Sequence, residues 1–186
     1  MRNEESWNNK IKRKFINQMF SPRIEKDLLK IHEPDDLPPL ESYFIFGPVR
    51  TGKTIQAAFI FLQFAKEDYI AASYKKMIFV KTSEMFNKFK ASFNDDTISE
   101  QEYLNQLSEA DLLVLDDFGS ERPTDWVLSM LYLLVDRRYE NMKTTIYTSN
   151  LSLEEIADKF GDERIPSRIE RSCKLIEKTK QQEVRK

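Results

Sequence analysis

Glycine is scarce here: 186 residues contain only four. That excludes collagen-like and glycine-rich flexible polymers, and it makes the position of each glycine informative. A single cysteine, Cys173, rules out an internal disulfide framework. One histidine, His32, leaves no Cys/His cluster for a resident metal. Long apolar runs are missing as well. None approaches the ~18 residues of a membrane-spanning helix, and the start, MRNEESWNNKIKRKF, has no apolar signal core. The expectation is a cytoplasmic protein with no membrane partner. Nor is there an excess of one charge, since the net value is −2. The signs are unevenly spread, however. Residues 1–30 hold eight Lys or Arg against four acids, and 164–186 hold eight against three. Local basic surfaces therefore stay open, as solvated helix faces or as contacts to an anionic partner.

What is present is enough apolar material, 40% of the chain, for one domain with an appended segment. Residues 1–40 read as the segment. Trp7, Ile11, Phe15 and Met19 recur every four residues, which predicts a helix with one apolar face. Ser21-Pro22 suits the start of a second helix carrying Ile24, Leu28 and Leu29. EPDDLPPLE then reads as a linker. The first helix either packs back onto its own domain or binds a partner. Residues 41–186 alternate short apolar runs with helical patterns, which predicts a parallel sheet with crossover helices. The strands expected are 42–46, 77–81, 111–115, 144–148 and 173–178. Ser99-x-x-Glu102 and Ser152-x-x-Glu155 are capping-box starts for two of the helices.

Two of the four glycines stand at the fixed positions of Gly47-Pro48-Val49-Arg50-Thr51-Gly52-Lys53-Thr54, which fits G-x-x-x-x-G-K-[ST]. This is a phosphate-binding P-loop. Successive backbone N–H groups must wrap a phosphate chain, and glycines permit turns that a Cβ would block. Lys53 then reaches the β- and γ-phosphates, and the Thr54 hydroxyl is a ligand for Mg²⁺. Downstream, the apolar run 112–115 ends in Asp116-Asp117. Carboxylates at the C-terminal end of a buried strand lie where open α/β sheets bind ligands. Asp116 is read as the Mg²⁺ holder and Asp117 as the group that polarises the attacking water. The run 144–148 ends in Ser149-Asn150, and an amide there can bond both a phosphate oxygen and the water.

Three stretches then carry a resemblance: TISEQEYLNQLSEADLLVLDDFGSE, LYLLVDRRYENMKTTIYTSNLSLEEI and ERIPSRIER. Together with the P-loop they resemble the DnaC/DnaI class of AAA+ replicative helicase loaders, with IstB transposition ATPases as close relatives, over roughly Ser42 to Arg171. The resemblance implies a three-layer αβα P-loop fold without a lid domain, whose five-stranded parallel sheet is ordered 5-1-4-3-2. It implies ATP with Mg²⁺ at residues 47–54, Walker B at Asp116 and Asp117, and a sensor at Asn150. Arg168 of the Ser-Arg-Ile triplet takes the role of an arginine finger inserted into a neighbouring subunit, with Arg164 and Arg171 as rivals. Partners implied are a replicative helicase, single-stranded DNA and further copies of the chain, in a bacterial cell or a phage-infected host. Asp117 stands where many relatives carry Glu, which implies slow hydrolysis stimulated by assembly or DNA. Loaders contact DNA through the region of Val80 to Phe93, where Lys81, Lys88 and Lys90 could pair with phosphates. Met85, Phe86, Phe89 and Phe93 have the spacing of ordinary core packing. Two other functions fit the same residues: an IstB-like transposition ATPase, and an interaction module gated by nucleotide with negligible turnover.

Overall fold

The computed structural model describes residues 9–30, 38–73, 75–91 and 99–179. Trp7, His32 and Phe93 lie outside them. Two helices come first, α1 (Asn9–Met19) and α2 (Pro22–Lys30), followed by strand β1 (Tyr43–Phe46) and the long helix α3 (Lys53–Ala71). Then follow β2 (Met77–Lys81), α4 (Thr82–Ala91), α5 (Glu100–Glu109), β3 (Leu112–Asp116) and α6 (Asp125–Glu140). The chain continues with β4 (Thr144–Ser149), α7 (Leu153–Phe160), α8 (Arg164–Ser172) and β5 (Lys174–Glu177). All strand pairs are parallel, in the order β2-β3-β4-β1-β5. This is the expected 5-1-4-3-2 sheet, and each expected strand falls within a residue or so of its observed limits.

Strand residues point alternately to opposite faces, so a strand covered on both sides must be apolar at every position. β3 shows this directly: Leu112 and Val114 enter one core and Leu113 and Leu115 the other. Met77 and Phe79 of β2 face the first core, and Ile78 and Val80 the second. The first core lies under α1, α2 and α3. The second lies under α4 to α8 and includes Met85, Phe86, Phe89, Leu131, Ile165 and Ile169. The layers are therefore helix, sheet, helix. Ser152 caps α7 in a complete capping box with Glu155, and Ser99 caps α5 through the Glu102 N–H.

The amino-terminal helices belong to the first core. Ile16 is 1% exposed, and Phe20, Ile24 and Leu28 are buried beside Phe61 and Ile60 of α3. Phe20 meets the Phe61 ring edge-on at 5.7 Å and the Phe79 ring at 5.0 Å. Phe15 and Met19 of the expected stripe are only partly buried, and Leu29 is exposed. Residues 16, 20, 24 and 28 supply the apolar seam instead. They keep the four-residue spacing across the break between the two helices.

Candidate nucleotide site

β1 ends at Phe46 and the loop to α3 begins at Gly47, with φ of +132°. A Cβ on Gly47 would stand 2.1 Å from the Lys178 carbonyl oxygen, so the strap after β5 forbids any larger residue there. Gly52 takes φ +82° and hands the chain into α3. Between them Arg50 is left-handed, the Val49 side chain points outward, and the Thr51 hydroxyl donates to the Pro48 carbonyl at 2.9 Å. Lys53 is 8% exposed. Its ammonium lies in the mouth of the loop and donates to the carbonyls of Gly47 (2.8 Å) and Pro48 (2.7 Å). Burial pushes its pKa down, while Asp117 and Asp116 pull it back up.

The carboxylate of Asp116, 2% exposed, terminates β3 directly beside this loop. Its Oδ1 accepts from the Thr54 hydroxyl at 2.7 Å and from the Thr148 hydroxyl at 2.6 Å. Its backbone carbonyl accepts from Thr82 Oγ1 at 3.1 Å. Asp117 follows with φ +61°, a conformation unusual for a residue with a side chain. Its N–H donates to Thr148 Oγ1 at 3.0 Å, and its Oδ1 accepts from the Asn150 amide at 3.1 Å. Thr148 thus bridges both acids. Nothing in the sequence reading singled it out. Its signal is a hydroxyl two residues before Asn150, near the end of a strand that pairs with β3.

These groups line one cavity of about 500 Å³. Residues 49–54 form its floor, with Asp116, Asp117, Thr148 and Asn150 at one side. Lys81 lines the cavity too, as do Ser21, Arg23, Ile24 and Asp27 of the amino-terminal segment. Lys81 is thereby separated from the other two lysines expected at DNA. Lys88 lies over the Tyr103 ring at 4.2 Å and Lys90 is exposed, both on α4. Met85, Phe86 and Phe89 are core residues, with Phe86 packed edge-on against Trp126.

Arg168 does not line this cavity. Its guanidinium donates to Asp136 Oδ1 at 2.6 Å and to the Tyr132 hydroxyl at 3.0 Å, tying α8 to α6. Arg164 pairs with Asp162 at 2.6 Å and lies over the Tyr132 ring at 4.7 Å. Arg171 is exposed, and among the described residues its side chain makes no hydrogen bond or ion pair.

A parallel sheet in this order, with a P-loop after β1 and paired acids at the end of β3, separated from β1 by β4, defines an AAA+ type nucleotide-binding domain. The chain matches the family described as IstB-like ATP binding protein over residues 40–184, and it belongs to that family. It is 27% identical over 130 residues to the replicative helicase loader DnaC of Escherichia coli (strain K12), covering 70% of this chain and 50% of that one. It is 28% identical over 118 residues to the replicative helicase loader DnaI of Bacillus subtilis (strain 168), covering 63% and 35%. The chain thus spans half or less of the length of these relatives. Its fold is similar to the crystal structure of the DnaC helicase loader, with a TM-score of 0.62 and 23% identity over 84% of this chain and 89% of that one.

Proposed function

We propose that this chain is an ATP-driven loader of a replicative helicase, which binds Mg-ATP, hydrolyses it slowly and holds single-stranded DNA. The observation that carries the reading is the cluster at the P-loop: Thr54, Asp116, Thr148, Asp117 and Asn150 in one hydrogen-bonded set, with the Lys53 ammonium held beside it by the loop carbonyls. Family membership and the similarity to DnaC and DnaI support the loader role.

The residues present fit Mg²⁺. Thr54 and Asp116 offer hard oxygen donors that already touch one another. Among the described residues no group of three His, Cys, Asp or Glu could hold a metal alone, so nucleotide phosphates would complete the shell. Thr54 and Asp116 would hold Mg²⁺, which would supply charge neutralisation at the phosphates. The chain's own residues do the rest. Backbone N–H groups of residues 49–54 hold the phosphates, and Lys53 turns from the loop carbonyls toward the terminal pair. Asp117 accepts a proton from the water that attacks the γ-phosphorus as the bond to the β-phosphate oxygen breaks, giving ADP and phosphate. Asn150 holds the Asp117 carboxylate in position for that step. Arg168, released from Asp136, serves a neighbouring copy as the finger. Lys88 and Lys90 pair with DNA phosphates.

The direct test is capture of the replicative helicase from the same genome by the tagged chain, with and without Mg-ATP. Nucleotide-dependent capture is the expected result. No capture under either condition, by a chain that binds ATP, overturns the loader reading.

A further inference from the structure

The amino-terminal segment does more than complete the first core. Phe20 packs on Phe79 of β2, and Lys81 lies two residues further along the same face of that strand. In the sheet register Lys81 stands opposite Asp116. The start of α2 is thereby anchored beside the end of the cavity that holds Lys81, Asp116 and Asp117. Arg23, three residues past Phe20, lines that cavity with an exposed side chain. Among the described residues neither Arg23 nor Lys81 makes an ion pair or side-chain hydrogen bond. Arg168, Arg164 and Arg138, by contrast, all have partners.

We propose that Arg23 and Lys81 are phosphate-binding residues of this chain's own nucleotide site, and that Arg23 distinguishes a nucleoside triphosphate from a diphosphate. The inference rests on the nucleotide-site reading above. Thr54 and Asp116, the residues that would hold Mg²⁺, mark where the β- and γ-phosphates would lie. A diphosphate in the P-loop leaves the outer part of the cavity to water, whereas a triphosphate brings its terminal oxygens toward the wall formed by α2 and β2. A guanidinium on that wall gains charge-assisted hydrogen bonds only with the longer ligand. Because α2 and α1 share an apolar seam with α3, ligand contact at Arg23 also holds this segment down on the core. The nucleotide's state is thereby read by the part of the chain outside the sheet.

The test is calorimetric titration of the full chain with Mg-AMPPNP and with Mg-ADP. Arg23→Gln is expected to weaken AMPPNP binding about tenfold, the order of one hydrogen bond to a charged group. ADP affinity should change less than about twofold on the same scale. Lys81→Gln should follow the same pattern, and Arg23→Lys should keep part of the preference. Asp27→Asn is the control: it removes an anion from the same wall and should not weaken AMPPNP. Equal losses for both nucleotides, or a loss in Asp27→Asn matching that in Arg23→Gln, overturn the proposal in favour of a merely structural α2. So does an unchanged AMPPNP affinity in Arg23→Gln. Lys53→Ala separates the two levels of inference. If it loses both nucleotides while Arg23→Gln loses neither, only the role of α2 falls. If Lys53→Ala binds both like the parent, the P-loop assignment itself falls.

Discussion

Asp117 carries an unusual combination: a left-handed backbone and a carboxylate held by the Asn150 amide. Asp and Asn tolerate that backbone better than other residues with side chains. Asp117→Asn therefore removes the proton acceptor without straining the turn. We expect Mg-ATP affinity within a few-fold of the parent and turnover lowered by roughly 10²-fold or more, the range for loss of a general base. Steady-state phosphate release beside calorimetry checks it, and unchanged turnover would transfer the water-activating role elsewhere. Residues such as Gly47, Lys53 and the two acids were legible in the sequence because their spacing reflects a single loop or a single strand end. Thr148 and Arg138 were not, because their partners come from other elements. Arg138 lies in the charged-looking run VDRRYE yet is 1% exposed. Its guanidinium gathers the carbonyls of Leu107, Ala110 and Thr144 and the Thr145 hydroxyl, and burial lowers its pKa to about 10. Only the meeting of α5 and the turn after it with α6 and β4 creates that need for a donor.

Among the elements, β1 and β3 were read closely because both of their faces are covered, which leaves a nearly uninterrupted apolar run with little ambiguity. The amino-terminal helices were harder. A four-residue spacing from Trp7 through Met19 and another from Ile16 through Leu28 coexist in the same stretch. Periodicity alone cannot choose between them, and the choice is made by what α3 and β2 present. The observed seam packs α1 and α2 against α3 and β2. Phe20→Ala should then cost about 3–5 kcal/mol, as expected when a large aromatic side chain is removed from a packed core. Urea denaturation followed by circular dichroism is the measurement. A cost below about 1 kcal/mol, the level of an ordinary surface substitution, would mean that the segment contributes little to the core.

At the scale of the whole molecule, the question is whether one chain can complete its own site. The arginine offered by the Ser-Arg-Ile triplet is engaged within its own chain by Asp136 and Tyr132, away from the P-loop. Arg168 can act at a γ-phosphate only by exchanging those partners for the ligand of a neighbour. The two roles predict different results. As a tie between α8 and α6, its loss in Arg168→Ala lowers stability and reduces activity in proportion to the protein unfolded. As a finger, its loss leaves ATP binding near normal and cuts hydrolysis by about 10³-fold, the usual lower range for such residues. Mixing then decides. Lys53→Ala cannot use its own P-loop but still carries an intact Arg168, so adding it to Arg168→Ala should restore part of the activity across one interface. The rate should rise faster than linearly with protein concentration, because assembly precedes chemistry. Assays with and without single-stranded DNA at low salt allow for a DNA-nucleated assembly. Arg171→Ala, tested in the same mixtures, covers the exposed rival. If the Arg168→Ala mixture stays inactive while the protein remains folded, Arg168 acts within its own chain and not as a finger across the interface, and recovery of the Arg171→Ala mixture then points to Arg171 as the finger.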